Sequence, residues 1–487
     1  MVHTLVQLGR TLKAQLAEIV TGGDATMTAR ARSFVSWCSP GIPFAPQDFD
    51  FAVTGIGTGE TAEEERRFLA QAYQFATLVD FIPDISGLVT LDKQLAVHRT
   101  AQQRLSFMYG EILRLSKVVA NDLTPENEAK LERWRNTLIT KKKVKNLETG
   151  EMKEVPEESE MVKLYNRYKA LHEAAKLEYN NKRIQAAVAT GPEGRLAVMD
   201  WSTNQGIYRN KVRAAEGQWA SDGYRNGVDE LRAAISQMTA RSMKLWKQRL
   251  IEQLTDAAVA AIGPGQTFFN TVPIPGNFAN TEDGWTGYRV YSANVSHEIE
   301  RRSRSWRAGG SVGWGLWSVG ADTQHHSSQF SEDYSVSQFG LEFKLAAIPI
   351  ARPWFYPEFF MNRGWMLDRG RGWYYDQFPS DGEDPPEGNF VGYATHVMFA
   401  RAVSLKSREF VSAYRQHERS SSSSATLGWG PFTFKGNYSS GDSGRSFKSS
   451  VTEEEISVPG LQVIGFVNAM IPKSPYPWED LNPADFE

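Results

Sequence analysis

The sequence predicts a mixed α+β protein: a helical N-terminal half with a projecting helix-hairpin-helix arm, and a β-rich C-terminal half containing two repeated long β-hairpins. Apolar residues recur at helical spacing up to about residue 263, and alternation of small polar and large apolar residues dominates after it. The motif Val312-Gly-Trp-Gly-Leu-Trp-Ser-Val319 also returns 115 residues later, as Leu427-Gly-Trp-Gly-Pro-Phe-Thr-Phe434. A unit that repeats at a constant offset is typical of a duplicated supersecondary module.

Length and composition restrict the compartment and the partners. The 487 residues allow two or three domains, and a net charge of −3 gives no reason to expect nucleic acid as a partner. Cys38 is the single cysteine, which favours a reducing compartment. Residues 1–20 carry Arg10, Lys13 and Glu18, so they do not form a secretory signal. We expect a cytoplasmic protein as synthesised, and later export without a signal peptide stays open.

The first part of the helical domain is predicted to cover residues 1–120. Its first helix is indicated by five apolar residues at helical spacing, Leu5, Leu8, Leu12, Leu16 and Ile19, and Ser39–Pro46 then interrupts the pattern. The glycines of Phe51–Gly59 suggest a phosphate-binding loop. However, Thr61 and Glu64 form a capping box there, and the neighbouring glutamates would repel a phosphate. Nucleotide binding is therefore not expected.

Residues 121–190 are predicted to form the arm. Its first helix begins at Thr124-Pro125, and a small polar β-hairpin follows at 141–155 around a Thr149-Gly150 turn. A second helix runs to about residue 189. Residues 191–263 are then predicted to form a long helix that completes the helical domain, with a short heptad seam at Val228, Leu231, Ile235, Met238, Ser242 and Leu245.

The β-rich domain is predicted at 264–476, followed by a tail at 477–487. Its duplicated hairpins lie at about 290–350 and 405–465. The predicted strands are 307–322 and 333–345 in the first copy, and 423–438 and 447–458 in the second. The prolines of Ile348–Phe360, which lies between the two motif copies, argue against a central strand, so a covering loop with buried aromatic side chains is expected there.

Two sets of residues are candidates for function. The hairpins present an aromatic and aliphatic face that could join copies of the chain or enter a membrane; it comprises Val312, Trp314, Leu316, Trp317, Leu427, Trp429, Phe432 and Phe434. Charged residues are absent from Ser311–Ala321 and Ser423–Phe434, so these strands lack the charges that usually prevent pairing between sheet edges. The second set is a possible binding surface made of Arg363, Trp365, Arg371 and Trp373.

No catalytic motif is present: the sequence has no HExxH, GxSxG, Walker or CxxC pattern. The adjacent His325-His326 would point to opposite faces of a strand, so neither a metal nor a cofactor is expected. We therefore expect a non-enzymatic, self-assembling structural protein that forms a homo-oligomer through β-hairpin pairing. One alternative is a pore-forming or membrane-inserting protein that uses the same amphipathic hairpins. Another is a carbohydrate- or partner-binding module.

Overall fold

The structure is a computed structural model. It describes residues 3–21, 33–56, 59–83, 104–119, 125–145, 152–187, 191–239, 242–261, 266–291, 316–319, 329–331, 334–368, 378–383, 386–422, 425–437, 446–479 and 481–486. The predicted α+β fold class is confirmed, with helices and antiparallel sheets in one chain.

The helices are α1 Leu5–Thr21, α2 Asp50–Thr54, α3 Ala62–Val79, α4 Leu105–Leu115, α5 Pro125–Leu138, α6 Glu160–Ala187, α7 Gly191–Ser221, α8 Arg225–Thr239, α9 Met243–Asp256, α10 Glu358–Met361 and α11 Arg408–Ser420. Among these described helices, none is long and apolar enough to cross a membrane.

The strands of the first half are β1 His3–Thr4, β2 Ser33–Phe44, β3 Ser116–Val118, β4 Ile139–Lys145, β5 Met152–Glu158 and β6 Ala258–Ala260. Those of the second half are β7 Thr267–Phe269, β8 Val272–Pro273, β9 Thr286–Tyr291, β10 Leu316–Val319, β11 Gln329–Ser331, β12 Ser335–Val336, β13 Gly340–Ala351, β14 Trp365–Leu367, β15 Gly392–Lys406, β16 Thr426–Trp429, β17 Phe432–Asn437, β18 Ser446–Lys448, β19 Ser450–Val451 and β20 Glu455–Met470.

Helix α1 is the predicted first helix. The backbone N–H of Gln7 donates to Thr4 Oγ1 at 3.2 Å, and the N–H of Thr4 donates to Gln7 Oε1 at 3.0 Å. This reciprocal pair is a capping box, which satisfies backbone donors at the helix start. All five predicted core residues are buried in one cluster with both large sheets. Helix α1 therefore belongs to the core of the β-rich half.

The break in the helical pattern at Ser39–Pro46 coincides with a strand. Strand β2 runs through most of it and pairs antiparallel with β20. The register of this pair shifts between Trp37 and Ile42, so the strand bulges around Pro40-Gly41. A proline is tolerated at such an irregularity. The predicted helical half thus contributes a strand to the main sheet.

The main sheet has seven antiparallel strands. Strands β8 and β9 pair with the two ends of β13, β15 and β20 follow in that order, and β2 and β19 pair with different parts of β20. Strand β13 extends through Pro349, which pairs with His396. The covering loop predicted at Ile348–Phe360 is therefore wrong for its first residues. Pro349 is tolerated because β9 ends opposite Leu345, before the proline is reached.

One row of paired residues crosses four strands of this sheet: Tyr291, Gly340, Lys406 and Glu455, on β9, β13, β15 and β20. The next two rows keep the same register. Tyr291 and Lys406 are 115 positions apart, as are Gly340 and Glu455. The same two positions of the 115-residue repeat, that of Tyr291 and that of Gly340, therefore face each other at all three junctions, β9–β13, β13–β15 and β15–β20. In this sense the pairing register is identical at three consecutive junctions.

The second sheet has five strands in the order β11-β10-β16-β17-β18, and it packs on the main sheet with α1 and α11. Strands β10 and β16, from the two motif copies, pair directly. The predicted single strand 423–438 is wrong, because a tight turn at Gly430-Pro431 divides it into β16 and β17. Gly430 has a φ of +57°, which favours glycine. Much of the first copy lies outside the described residues, so the equivalence of the two repeated hairpins stays a prediction.

The single long helix predicted for 191–263 is also wrong. The chain forms α7, α8 and α9 there, and it turns at Asp222–Tyr224, where Tyr224 has a φ of +53°. A Cβ on Gly223 would lie 2.7 Å from the backbone oxygen of Trp219 and 2.8 Å from Cβ of Tyr168. This close packing requires a glycine at the turn. In the predicted arm, β4 and β5 pair along their whole lengths.

Candidate functional site

The predicted hairpin face lies inside the protein. Its six described residues, Leu316, Trp317, Leu427, Trp429, Phe432 and Phe434, are all at most 1% exposed. Trp317 Nε1 donates to the carbonyl of Gly430 at 2.9 Å, and Trp429 Nε1 donates to that of Leu5 at 3.2 Å. Val312 and Trp314 lie outside the described residues, as does His325-His326. Contact of the buried side chains with another copy or a membrane would require the two sheets to separate.

The predicted Arg/Trp surface divides in a similar way. Trp365 is buried in a core with the α4 and α9 side chains. Arg363 instead lies between two rings of the C-terminal segment, 4.2 Å from the centre of Tyr476 and 4.1 Å from that of Trp478. Arg371 and Trp373 fall outside the part of the chain that the structure describes. Arg363 therefore holds the start of the predicted tail against the rest of the fold by cation–π contacts.

The C-terminal part of α6 covers the outer edge of β9. Asn181 Nδ2 donates to the carbonyl of Gly287 at 2.8 Å, and Gln185 Nε2 donates to that of Arg289 at a long 3.5 Å. The N–H and C=O of a strand residue point to the same side, so Gly287 and Arg289 direct both groups away from β13. The two amides therefore occupy positions that a further strand would use.

This edge contact is incompletely satisfied. Asn181 is only 2% exposed, yet its Oδ1 atom has no hydrogen-bond partner in the described part of the chain. A buried acceptor without a partner costs about 1–3 kcal/mol, which offsets much of what two side-chain hydrogen bonds contribute. The end of α6 is thus held weakly against β9.

The middle of α6 is tied to β15. Glu173 Oε2 lies 2.8 Å from Nε2 of His396, whose Nδ1 lies 2.9 Å from Oγ1 of Thr395. Burial alone would raise the pKa of Glu173, but the charge and hydrogen bond of His396, together with Lys169, outweigh it and lower this pKa to about 2. Glu173 is therefore ionised at neutral pH and fixes α6 on the face of the sheet.

A cavity of about 340 Å³ lies beneath the N-terminal part of α6. Its wall includes four basic side chains, Arg135, Lys169, Arg232 and Arg352, and two carboxylates, Glu158 and Glu358. We refer to it as the cationic cavity. The remainder of its wall is largely aliphatic and aromatic, with contributions from α5, α8, α9, β13 and β15. A concave apolar site with a few convergent polar groups is the usual form of a small-molecule site.

Glu158 is the carboxylate of the cationic cavity that its surroundings perturb most. Burial raises its pKa to about 7, although Asn166 donates a hydrogen bond to Glu158 Oε2 at 2.8 Å and Arg232 and Lys163 favour the ionised form. Near neutral pH, this side chain is therefore divided between its protonated and ionised forms.

The sequence did not predict the roles of Asn181 and Gln185, and it did not predict the cationic cavity. The two amides are four residues apart and so share one face of α6. That signal is weak, because solvent-facing polar residues have the same spacing elsewhere on the helix. The cavity collects residues from nine helices and strands, and no local pattern brings these together.

In comparisons with known proteins, no family model, no curated protein and no solved structure matched the chain.

Proposed function

We propose that this chain is a non-enzymatic, self-assembling protein whose copies join through the edges of the seven-stranded sheet. The observation that supports it most is the identical register at the β9–β13, β13–β15 and β15–β20 junctions. A sheet in which each strand pairs antiparallel with the next in the same register can be extended by a further strand in that register. The next strand pair in this series would place β9 of a second copy beside β20 of the first. These edges take the place of the expected hairpin faces.

The repeated step defines the contact residue by residue. Glu455 of one copy would pair with Tyr291 of the next, as Lys406 pairs with Glu455 within one chain. Ile456 would likewise pair with Val290. The contact joins two different edges, so it is heterologous and produces a ring if the rotation closes and a filament if it does not.

Both edges are covered in the single chain. On β20, the relevant stretch pairs with β19, which contributes only Ser450 and Val451. On β9, the cover is the pair of amides from α6. Exposed strand edges promote pairing with other chains, and proteins block them with such covers. Assembly would thus require α6 to leave β9 and β19 to leave β20.

The cover on β9 can be tested by substitution. Asn181→Ala with Gln185→Ala removes both amide donors and leaves two good helix formers. We expect this double variant to sediment as larger species than the wild-type protein at the same concentration. Arg167→Ala, on the exposed face of the same helix, is the matched control. A double variant that remains monomeric at every concentration would contradict the role of α6.

The register can be tested separately by disulfide formation in the double variant. Cysteines introduced as Tyr291→Cys and Glu455→Cys should join neighbouring copies covalently under oxidising conditions. Within one chain, three strand spacings separate these positions, about 14 Å, which is too far for a disulfide. Cys38 does not compete, because burial raises the pKa of its thiol. Equal cross-linking by Tyr291→Cys with Glu453→Cys would show that the register is wrong.

A further inference from the structure

The cationic cavity contains more positive charge than the protein neutralises. Among the described residues, Arg135 has no carboxylate partner, and its buried Nη2 atom has no hydrogen-bond partner. Arg352 is 8% exposed and, within the described ranges, donates to two carbonyls, those of Ala394 and Val79, at 2.6 and 2.8 Å. Its Nε atom also lacks a partner in the described part of the chain. Burial lowers the pKa of Arg135 and of Arg352, and the charges of Glu132 and Asp80, respectively, act against this shift. Neither carboxylate forms an ion pair with these arginines in the described part of the chain. Buried charges in proteins are normally paired, so the two guanidinium groups lack a directly bonded counter-ion.

The other charges around the cavity do not supply it. Arg232 lies over the ring of Tyr165, 4.9 Å from its centre. Lys169 is 3.8 Å from Glu173, whose carboxylate also bonds to His396. Glu358 is exposed, and Glu158 accepts its hydrogen bond from Asn166. The positive charge on Arg135 and Arg352 therefore stays available to an incoming anion.

The rest of the wall indicates what else the ligand carries. Trp246 and Phe355 are buried side chains that also line the cavity, and Ile235, Ile350 and Pro353 add aliphatic surface. Inorganic anions gain nothing from such a wall, whereas an organic anion buries its apolar part there. A volume of about 340 Å³ accommodates a small organic molecule.

We propose that the cationic cavity binds an organic anion, namely a carboxylate with an apolar body, whose head group faces Arg135 and Arg352 and whose body lies against the Trp246–Phe355 wall. Guanidinium groups match the planar carboxylate through paired N–H donors. The proposal does not rest on assembly through the sheet edges, because no residue of the β9 or β20 edge lines the cavity.

The test is calorimetric titration of the full chain with octanoate, with octanamide as the neutral molecule of matching shape. We expect octanoate to bind roughly tenfold more tightly or better, since hydrogen bonds to charged groups are stronger than neutral ones. Arg135→Met, which keeps the aliphatic volume, should remove most of this preference. Arg133→Met, an exposed position on the same helix, is the matched control and should preserve it.

Three results would overturn the proposal. Equal affinity for octanoate and octanamide in the wild-type protein would show that the arginines do not select an anion. Inorganic phosphate that binds as tightly as octanoate would remove the role of the apolar wall. Absence of octanoate binding at millimolar concentration would exclude a carboxylate of this class. None of these three measurements needs a substituted protein, so they are decisive even if Arg135→Met fails to fold.

Discussion

Glu158 lies at the end of β5, where four neighbours act on its ionisation. Burial opposes the carboxylate and Glu157 adds to this effect; together they outweigh Asn166, Arg232 and Lys163, which favour the carboxylate, and raise the pKa from 4.5 to about 7. The folded protein therefore holds this proton more tightly than the unfolded chain does. The resulting stabilisation is complete below pH 4.5 and is lost as the pH rises through about 7.

We therefore expect Glu158→Gln to flatten the pH dependence of stability. Between about pH 5 and about pH 8, the free energy of unfolding of the wild-type protein should fall relative to that of the variant. Denaturant unfolding at the two pH values measures this difference. Glu160→Gln, at an exposed neighbouring position, should behave as the wild-type protein does. Parallel pH dependences for wild type and Glu158→Gln would refute the assignment.

Residue spacing predicted the chemical character of several positions but not their surroundings. The alternation around Trp317 and Trp429 shows that two strand faces differ. It does not show whether another molecule or the same chain covers the apolar face. In this protein the cover is internal, partly from α1, whose Leu5 carbonyl accepts the Trp429 hydrogen bond. That contact joins residues 424 positions apart, and local pattern contains no information about it.

At the level of elements, the turn between β16 and β17 depends on close approach to β10. A Cβ on Gly428 would contact the backbone oxygen of Phe432 and the ring of Trp317. Neither can move freely, because the first belongs to the strand ladder and the second is 1% exposed. Gly428 is therefore a position where the sheet requires a glycine.

We expect Gly428→Ala to lower the free energy of unfolding by about 1–3 kcal/mol through overpacking. Gly340→Ala is the matched strand control, since its added Cβ would have its nearest neighbour at 3.6 Å, an ordinary contact distance. Chemical denaturation of the two variants gives the comparison. Equal free energies of unfolding for the two variants would mean that β10 and β16 can move apart to accommodate the added Cβ without loss of stability.

Elements with strong local signals were predicted well, and elements defined by partners were not. Helix α1 and the β4–β5 hairpin follow from spacing and turn chemistry. Strands β2 and β13 contain prolines, which normally argue against a strand. Both are accommodated by their partners: a bulge against β20 for β2, and the early end of β9 for β13. Whether a proline is tolerated in a strand thus depends on its tertiary strand partners, which the local sequence of the strand does not predict.

At the level of the whole molecule, the boundary predicted at residue 263 separates segments that share a core. Strand β2 pairs with β20, and α1 packs in the cluster that contains both large sheets. A fragment comprising 264–487 would expose one side of β20 and the apolar surface that α1 covers. The unsatisfied strand edge and the exposed apolar side chains both oppose folding of the isolated fragment.

We therefore expect fragment 264–487 to lack cooperative unfolding when it is produced alone. Co-production with fragment 1–263 should restore the near-ultraviolet circular dichroism of the intact chain, because the missing strand and helix are supplied in trans. A fragment 264–487 that unfolds cooperatively by itself would instead support two separate domains.

The direct pairing of β10 with β16 has a consequence for how the second sheet forms. Each strand belongs to one copy of the motif, so the contact joins the two copies within one molecule. Association of separate molecules depends on their concentration, whereas linked partners experience a high, fixed effective concentration. The contact between the two motif copies therefore forms at a concentration that the chain itself sets, and dilution of the protein does not weaken it.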